Sequence, residues 1–128
     1  MAMSPMVRTK AELKLHGIIH RVVERYHPRS KKYPFGCKED LLNIIDLLAF
    51  DNGIVGIQVC GTDWKDHQRK IMEDEKENAF TWLENGGRLE VWGWRSLKKK
   101  RGGKAKYWSP RIADVSIIQG ELYWEERV

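Results

Sequence analysis

Cysteine is scarce: Cys37 and Cys60 are the only two among 128 residues, and they form no C-x-x-C pair. Two are too few for a disulfide scaffold, so a reducing, cytoplasmic setting is the expected one. Long apolar runs are missing as well. No uninterrupted stretch approaches the roughly 20 residues of a membrane span. The opening Met1–Arg8 has no apolar h-region, so neither a membrane partner nor secretion is expected. The chain has no G-x-x-x-x-G-K-(S/T) for nucleotide binding and no G-x-S-x-G for serine hydrolysis. Its histidines include His16 and His20 at helical spacing, but no H-E-x-x-H zinc motif. There is no internal repeat.

What remains is a globular composition, 41% hydrophobic and 32% charged. It fits a single domain over residues 1–128, with residues 1–8 expected to form a loose tail. Lysine and arginine number 23 against 18 acids, a net charge of +5. Such a surface suits a polyanion. The excess is concentrated in Lys98, Lys99, Lys100, Arg101, Lys104 and Lys106, a run with no acid and two glycines inside it. Mobile cations of this kind can track a phosphate backbone and release its counterions, so this loop is the expected nucleic-acid contact.

Thr9 and Glu12 have capping-box spacing, and Leu15, Ile18, Ile19, Val22, Val23 and Tyr26 then recur at helical period. The pattern predicts a first helix from Thr9 to about Tyr26, stopped by Pro28. Arg29 to Gly36 reads as an exposed basic loop. Asp40–Phe50 and Ile54–Cys60 are almost continuously apolar, and Asp51-Asn52-Gly53 between them is a strong hairpin signal. Two strands covered on both faces imply a central place in a layered α/β domain. Thr62 or Asp63 can cap a helical stretch from Trp64 to Asn85, broken near Lys76 and stopped by Gly86-Gly87. Leu89–Trp94 reads as a strand; Tyr107-Trp108, Ile112–Ile118 and Glu121–Trp124 supply further short ones.

The informative residue is Asp46, a carboxylate inside an apolar strand. Losing its hydration costs several kcal/mol unless a cation or hydrogen bonds replace the water. Gln58 is a second polar intrusion, in the partner strand. A three-residue loop places Phe50 opposite Ile54 and therefore Asp46 opposite Gln58, with Cβ atoms roughly 5 Å apart. A two-residue Asn52-Gly53 turn instead puts Gln58 on the other face. In the first register the pair can ligate one divalent cation or simply hold the hairpin in register by hydrogen bonds. Asp40 shares the parity of Asp46 but lies roughly 20 Å away on a straight strand. It joins the same site only if the chain bends sharply between them; otherwise it is a strand-start residue beside Lys38.

The order of these pieces resembles the PD-(D/E)XK nuclease superfamily. Within it, the chain is most similar to small phage and bacterial proteins of the Holliday junction resolvase-like or restriction endonuclease-like type. The resemblance rests on Asp40-Leu41, Asp46-Leu47, Gly56-Ile57-Gln58-Val59, His67-Gln68-Arg69-Lys70-Ile71 and Gly93-Trp94. It covers roughly residues 9 to 112. It implies a restriction-endonuclease-like mixed central sheet flanked by helices, Mg²⁺ or Mn²⁺ at the Asp and Glu/Gln positions, and hydrolysis of DNA phosphodiesters. Asp46 matches the metal-binding aspartate and Gln58 the Glu/Gln slot. Glu24, on the predicted first helix, matches loosely an acidic residue that some members place near the metal. The family lysine would fall at Cys60, which cannot supply an ammonium. Some members move that lysine to the following helix, where Lys70 is the first candidate and Lys65 the second; His67 lies in the same matched segment.

The resemblance thus implies a metal-dependent DNA endonuclease, with branched DNA among the candidate substrates. Cutting two strands symmetrically would call for a homodimer. Gln58 for Glu and Cys60 for Lys keep open a catalytically silent DNA-binding module of the same fold. A small accessory protein that binds a protein or RNA partner is the third reading.

Overall fold

The computed structural model describes residues 3–128; Met1 and Ala2, part of the expected tail, lie outside them. Three helices and eight strands follow one another as helix α1 (Pro5–Leu15), strands β1 (Ile19–Val22), β2 (Arg25–His27), β3 (Cys37–Glu39), β4 (Leu47–Phe50) and β5 (Ile54–Cys60), helix α2 (Trp64–Arg69), a π-helical turn (Lys70–Asp74), helix α3 (Lys76–Glu84), and strands β6 (Arg88–Lys98), β7 (Lys106–Ile118) and β8 (Glu121–Glu126). Six strands form one mixed sheet in the order β1-β4-β5-β6-β7-β8, and β2 pairs with β3 in a separate ribbon. Only β5 and β6 run parallel, joined by the α2–α3 crossover; the other neighbours are antiparallel. The protein is a mixed α/β domain.

The first helix differs from its expectation at both ends. Ser4 caps it, accepting from the Val7 amide at 3.2 Å, and Pro5 takes the first helical position, where its missing N–H costs nothing. Residues 5–8 are therefore its first turn and not a tail. It ends at Leu15, and Gly17 turns the chain at φ +70°. Beyond it Ile19 and Val22 lie in strand β1, with Ile18 and Val23 flanking it, and none of the four is helical. The periodic stripe misled because its members separate. Ile18 and Val23 pack on the core, while Leu15, Ile19, Val22 and Tyr26 are exposed. Thr9 is fully buried and caps nothing. Its hydroxyl donates to the Pro5 carbonyl and accepts from Trp94 Nε1 at 2.8 Å, tying α1 to the sheet.

Two apolar clusters flank the sheet. Leu47, Ala49, Val55, Ile57, Trp92 and Trp94 meet Leu13 of α1. On the opposite face Cys60, Leu89, Val91, Ala113 and Val115 meet Trp64, Ile71 and Ala79 of the crossover, with Ile44 and Ile45. Alternation along the strands makes this division. It also assigns Asp46 and Gln58, which share parity with Cys60, to the crossover face. Trp64 lies so close over Gly93 that a Cβ there would sit 2.4 Å from its ring, which fixes where α2 crosses the sheet. The crossover helix has its break slightly earlier than expected, at the π-helical turn, and stops at Gly86 with φ +93°. β7 is one strand of 13 residues where two shorter ones were expected.

Candidate metal centre

The β4–β5 hairpin has the three-residue loop, with Phe50 opposite Ile54 and Leu47 opposite Ile57. One step further along, the Asp46 amide donates to the Ile57 carbonyl at 2.9 Å. Its side chain then takes over the ladder. Oδ2 accepts from the Val59 amide and from Gln58 Nε2, both at 2.8 Å. Both residues are buried. The Asp46 carbonyl accepts from the amides of Val23 and Glu24, at 2.9 and 3.1 Å, so the main chain of this aspartate draws Glu24 to the site. Glu24 thus lies in the link between β1 and β2 and not on the first helix.

Asp40 arrives by the sharp bend that a straight strand would have denied it. Residues Asp40–Phe50 are not one strand. Leu42 and Asn43 take left-handed conformations at φ 51° and 61°, and Leu41 pairs with Ile45 across the reversal. Asn tolerates this region; a leucine there is a strained position held by its surroundings. The next residues outward are Asp40 and Asp46. One carboxylate oxygen from each of Glu24, Asp40 and Asp46 lies within 4.8 Å of the others.

Two lysines approach this cluster. Lys70, at the start of the π-helical turn, places Nζ 3.5 Å from Asp40 Oδ2. Lys38 Nζ stands 3.9 Å from Glu24 Oε1 at the solvent edge. Lys65 is exposed and lines a different depression, with Asp66, Arg69 and Glu73. His67 is held by Asp63, its Nε2 2.9 Å from Asp63 Oδ2, and is not part of the carboxylate group. The structure therefore brings together Glu24, Asp40, Asp46, Gln58 and Lys70, and leaves out Lys65 and His67.

Electrostatics follow from the crowding. Burial, and then the adjoining Asp40 carboxyl, push the Asp46 carboxyl up to about 8, against the pull of the Val59 and Gln58 hydrogen bonds. The cluster thus keeps a proton at neutral pH when no cation replaces it. Gln58 Oε1 is buried and has no hydrogen-bond partner among the described residues, although the amide nitrogen beside it is used. Three clustered carboxylates suit a hard divalent ion, and the Gln58 amide meets them with its nitrogen, Nε2 lying 2.8 Å from Asp46 Oδ2 and 3.5 Å from Asp40 Oδ2. Mg²⁺ or Mn²⁺ fits the carboxylates present: Glu24, Asp40 and Asp46 would hold it, and Gln58 would add Oε1 only with its amide turned over from the Nε2 contact it makes with Asp46. Cys60 contributes no charge. Burial pushes its thiol up to about 12, and it packs among Trp64, Val91 and Ala113.

Sheet direction places the cationic elements at the same end. β5 and β6 run parallel, with Cys60 opposite Gly93, and β6 continues five residues further to Lys98, roughly 17 Å along the strand. The β6–β7 hairpin closes there through Lys99, Lys100, Gly102 and Gly103, and Lys98, Lys99, Lys100, Arg101, Lys104 and Lys106 are all exposed. The β2–β3 ribbon, which leads straight into Asp40, adds Arg25, Arg29, Lys31, Lys32 and Lys38, all exposed. Its place beside Asp40 is not what the helix expected over residues 9–26 implies.

No family model, no curated protein and no solved structure matches this chain. Among the described residues no helix is long and apolar enough to cross a membrane.

Proposed function

We propose that the protein is a Mg²⁺- or Mn²⁺-dependent deoxyribonuclease with a restriction-endonuclease-like fold. The observation that carries this reading is the convergence of Glu24, Asp40, Asp46, Gln58 and Lys70, from four separate stretches of chain, at one end of the central sheet. Hydrogen-bond accounting alone does not require three carboxylates there; one aspartate already accepts from Gln58 Nε2 and the Val59 amide. The resemblance to PD-(D/E)XK nucleases supports the same assignment through Asp46 and Gln58. The resemblance implies a mixed central sheet flanked by helices, and the mixed six-stranded sheet with helices packed on it supports that reading.

A divalent ion at the carboxylates would neutralise a phosphodiester and lower the pKa of an attacking water. Lys70, tethered to Asp40, holds its ammonium at the edge of the cluster, where it can donate to a phosphate oxygen as charge develops. The hairpin cations and the β2–β3 ribbon flank the site on a chain of net charge +5, the arrangement needed to hold a polyanion across it. A symmetric cut in a duplex or a branched junction would take two copies.

One observation favours the silent DNA-binding reading. Gln58 Nε2 donates to Asp46, so the pair is stable without an ion. Supercoiled plasmid and a four-way junction, each incubated with Mg²⁺, Mn²⁺ or EDTA, separate the two. Metal-dependent cleavage that Asp46→Ala abolishes in a folded protein supports the nuclease. Binding that ignores EDTA, with no cleavage under any metal, supports the silent module and removes the nuclease.

A further inference from the structure

Cys60 lies outside the carboxylate cluster but opens onto the same cleft, about 300 Å³ in volume, whose walls include Glu24, Asp46, Cys60, Asp63 and His67. Cys60 ends β5, Asp63 stands at the N-terminus of α2, and His67 follows one turn later. This short connection collects a thiol, a carboxylate and an imidazole. One ligand atom of each lies within 4.8 Å of the other two.

Ordinary structural roles use these groups only in part. Asp63 makes no side-chain capping bond to its own helix; its Oδ1 accepts from the Gly61 amide and its Oδ2 meets His67 Nε2. His67 Nδ1 is buried with no hydrogen-bond partner among the described residues. Cys60 is 4% exposed overall, yet it lines the cleft.

We propose that Cys60, Asp63 and His67 form a second metal site, for a borderline transition ion such as Zn²⁺ or Co²⁺, separate from the carboxylate cluster. The chemistry discriminates between the two sites. Thiolate and imidazole favour Zn²⁺ and its neighbours, whereas Mg²⁺ and Mn²⁺ prefer the all-oxygen set. Three protein ligands leave a fourth tetrahedral position towards the cleft. All three come from eight consecutive residues, Cys60 to His67, so little chain must be ordered to assemble them. On coordination the thiol proton leaves to solvent. The site does not depend on the nuclease reading.

Cobalt reports it directly. Co²⁺ titrated into the full chain, freed of metal with EDTA and then desalted, is expected to give a thiolate-to-cobalt charge-transfer band in the near ultraviolet. Intense visible bands of a four-coordinate ion should accompany it, and Zn²⁺ should erase both. The band is expected to persist in Cys37→Ser and in Asp46→Asn, and to be lost in Cys60→Ser and His67→Ala. No band in the wild type, a band retained in Cys60→Ser, or one lost in Asp46→Asn would overturn the proposal. Should far-ultraviolet circular dichroism show Cys60→Ser unfolded, His67→Ala decides alone, since that ring is partly exposed; a retained band there overturns it equally.

Discussion

Replacing Asp46 by Asn should stabilise the metal-free protein, and more strongly as the pH rises. The folded protein holds the Asp46 proton up to about pH 8, whereas the ordinary value is 3.8. Between those limits the native state binds more protons than the unfolded chain, so ionisation of Asp46 lowers stability as pH increases. The maximum slope is about 1.4 kcal/mol per pH unit. From pH 5 to pH 8 the loss is on the order of 2–4 kcal/mol, a large part of a small domain's total. An asparagine avoids it without giving up the geometry. Its oxygen can accept from Gln58 Nε2 and the Val59 amide, as Oδ2 does now, and its NH₂ can donate to Asp40 as the protonated oxygen would. Other carboxyls act oppositely. Burial is the largest influence on Asp63 and opposes the shift, yet His67 holds it below its ordinary value; His27 holds Glu39 low and Arg111 holds Glu126 low, each against a smaller burial effect. Their contributions are present above the unfolded carboxyl pKa and fade as pH falls. Because both proteins share those groups, the difference between variant and wild type isolates position 46. Urea denaturation with EDTA should show a gap that widens by about 2–4 kcal/mol between pH 5 and pH 8. At pH 8, millimolar Mg²⁺ should raise the wild type and leave the variant unmoved. A gap that does not change with pH, or an asparagine variant less stable than wild type at pH 8, would falsify the account of a crowded, proton-holding cluster.

Three further outcomes follow from the same geometry. Lys70→Met should lower metal-dependent plasmid cleavage by about 10²–10³-fold while leaving DNA affinity and far-ultraviolet dichroism nearly unchanged; full activity would remove Lys70 from the chemistry. Replacing Lys98, Lys99, Lys100 and Arg101 together with Gln should flatten the dependence of log K on log salt by about 3–4, and an unchanged slope would take the β6–β7 hairpin out of the interface. Gly93→Ala should cost about 1–3 kcal/mol by overpacking, read as a lower urea midpoint, because its methyl would sit 2.4 Å from the Trp64 ring; a neutral effect would mean α2 can shift over the sheet.

Legibility in the sequence tracked the strength of local chemistry. The turn residues Asp51-Asn52-Gly53 specify a short reversal, and Asn52 and Gly53 do take positive φ, at 52° and 123°. The turn residues leave two loop lengths open; the three-residue loop, with Phe50 opposite Ile54, is the one that brings Asp46 to Gln58. Gly86-Gly87 likewise marked the end of the crossover helix. Residues 9–26 were misread because β-branched side chains at helical spacing also satisfy a strand. The deciding signals, Ser4-Pro5 at the start and Gly17 at the stop, are single residues set against a six-residue stripe. The approach of Asp40 to Asp46 was only half legible. Asn43 is an ordinary left-handed residue, but nothing in Leu42 announces that it will take φ 51°. Glu24 reached the site by a route invisible to side-chain patterns, through main-chain bonds to the Asp46 carbonyl.

The bend at Leu42-Asn43 and the carboxylate crowding bear on each other. A left-handed leucine costs on the order of 1 kcal/mol, and a buried carboxylate beside another costs more. Both penalties fall on the same few residues and both work against bringing Asp40 to Asp46. Apolar packing holds the arrangement nonetheless: Ile44 and Ile45, inside the reversal, are fully buried against the crossover helices. Burying apolar side chains needs no such bend, since β5 buries Val55, Ile57 and Cys60 as a plain strand. What a plain strand cannot do is place a second carboxylate next to the first. Lys70 fits the same logic. Position 60 faces an apolar cluster of Trp64, Val91 and Ala113, where an ammonium would be stripped of water, whereas the π-helical turn delivers a lysine to Asp40 from the rim, with a third of its side chain still exposed. The strain is thus spent on assembling charge at one point, and the cation that relieves it comes from the one element whose backbone departs from regular helix.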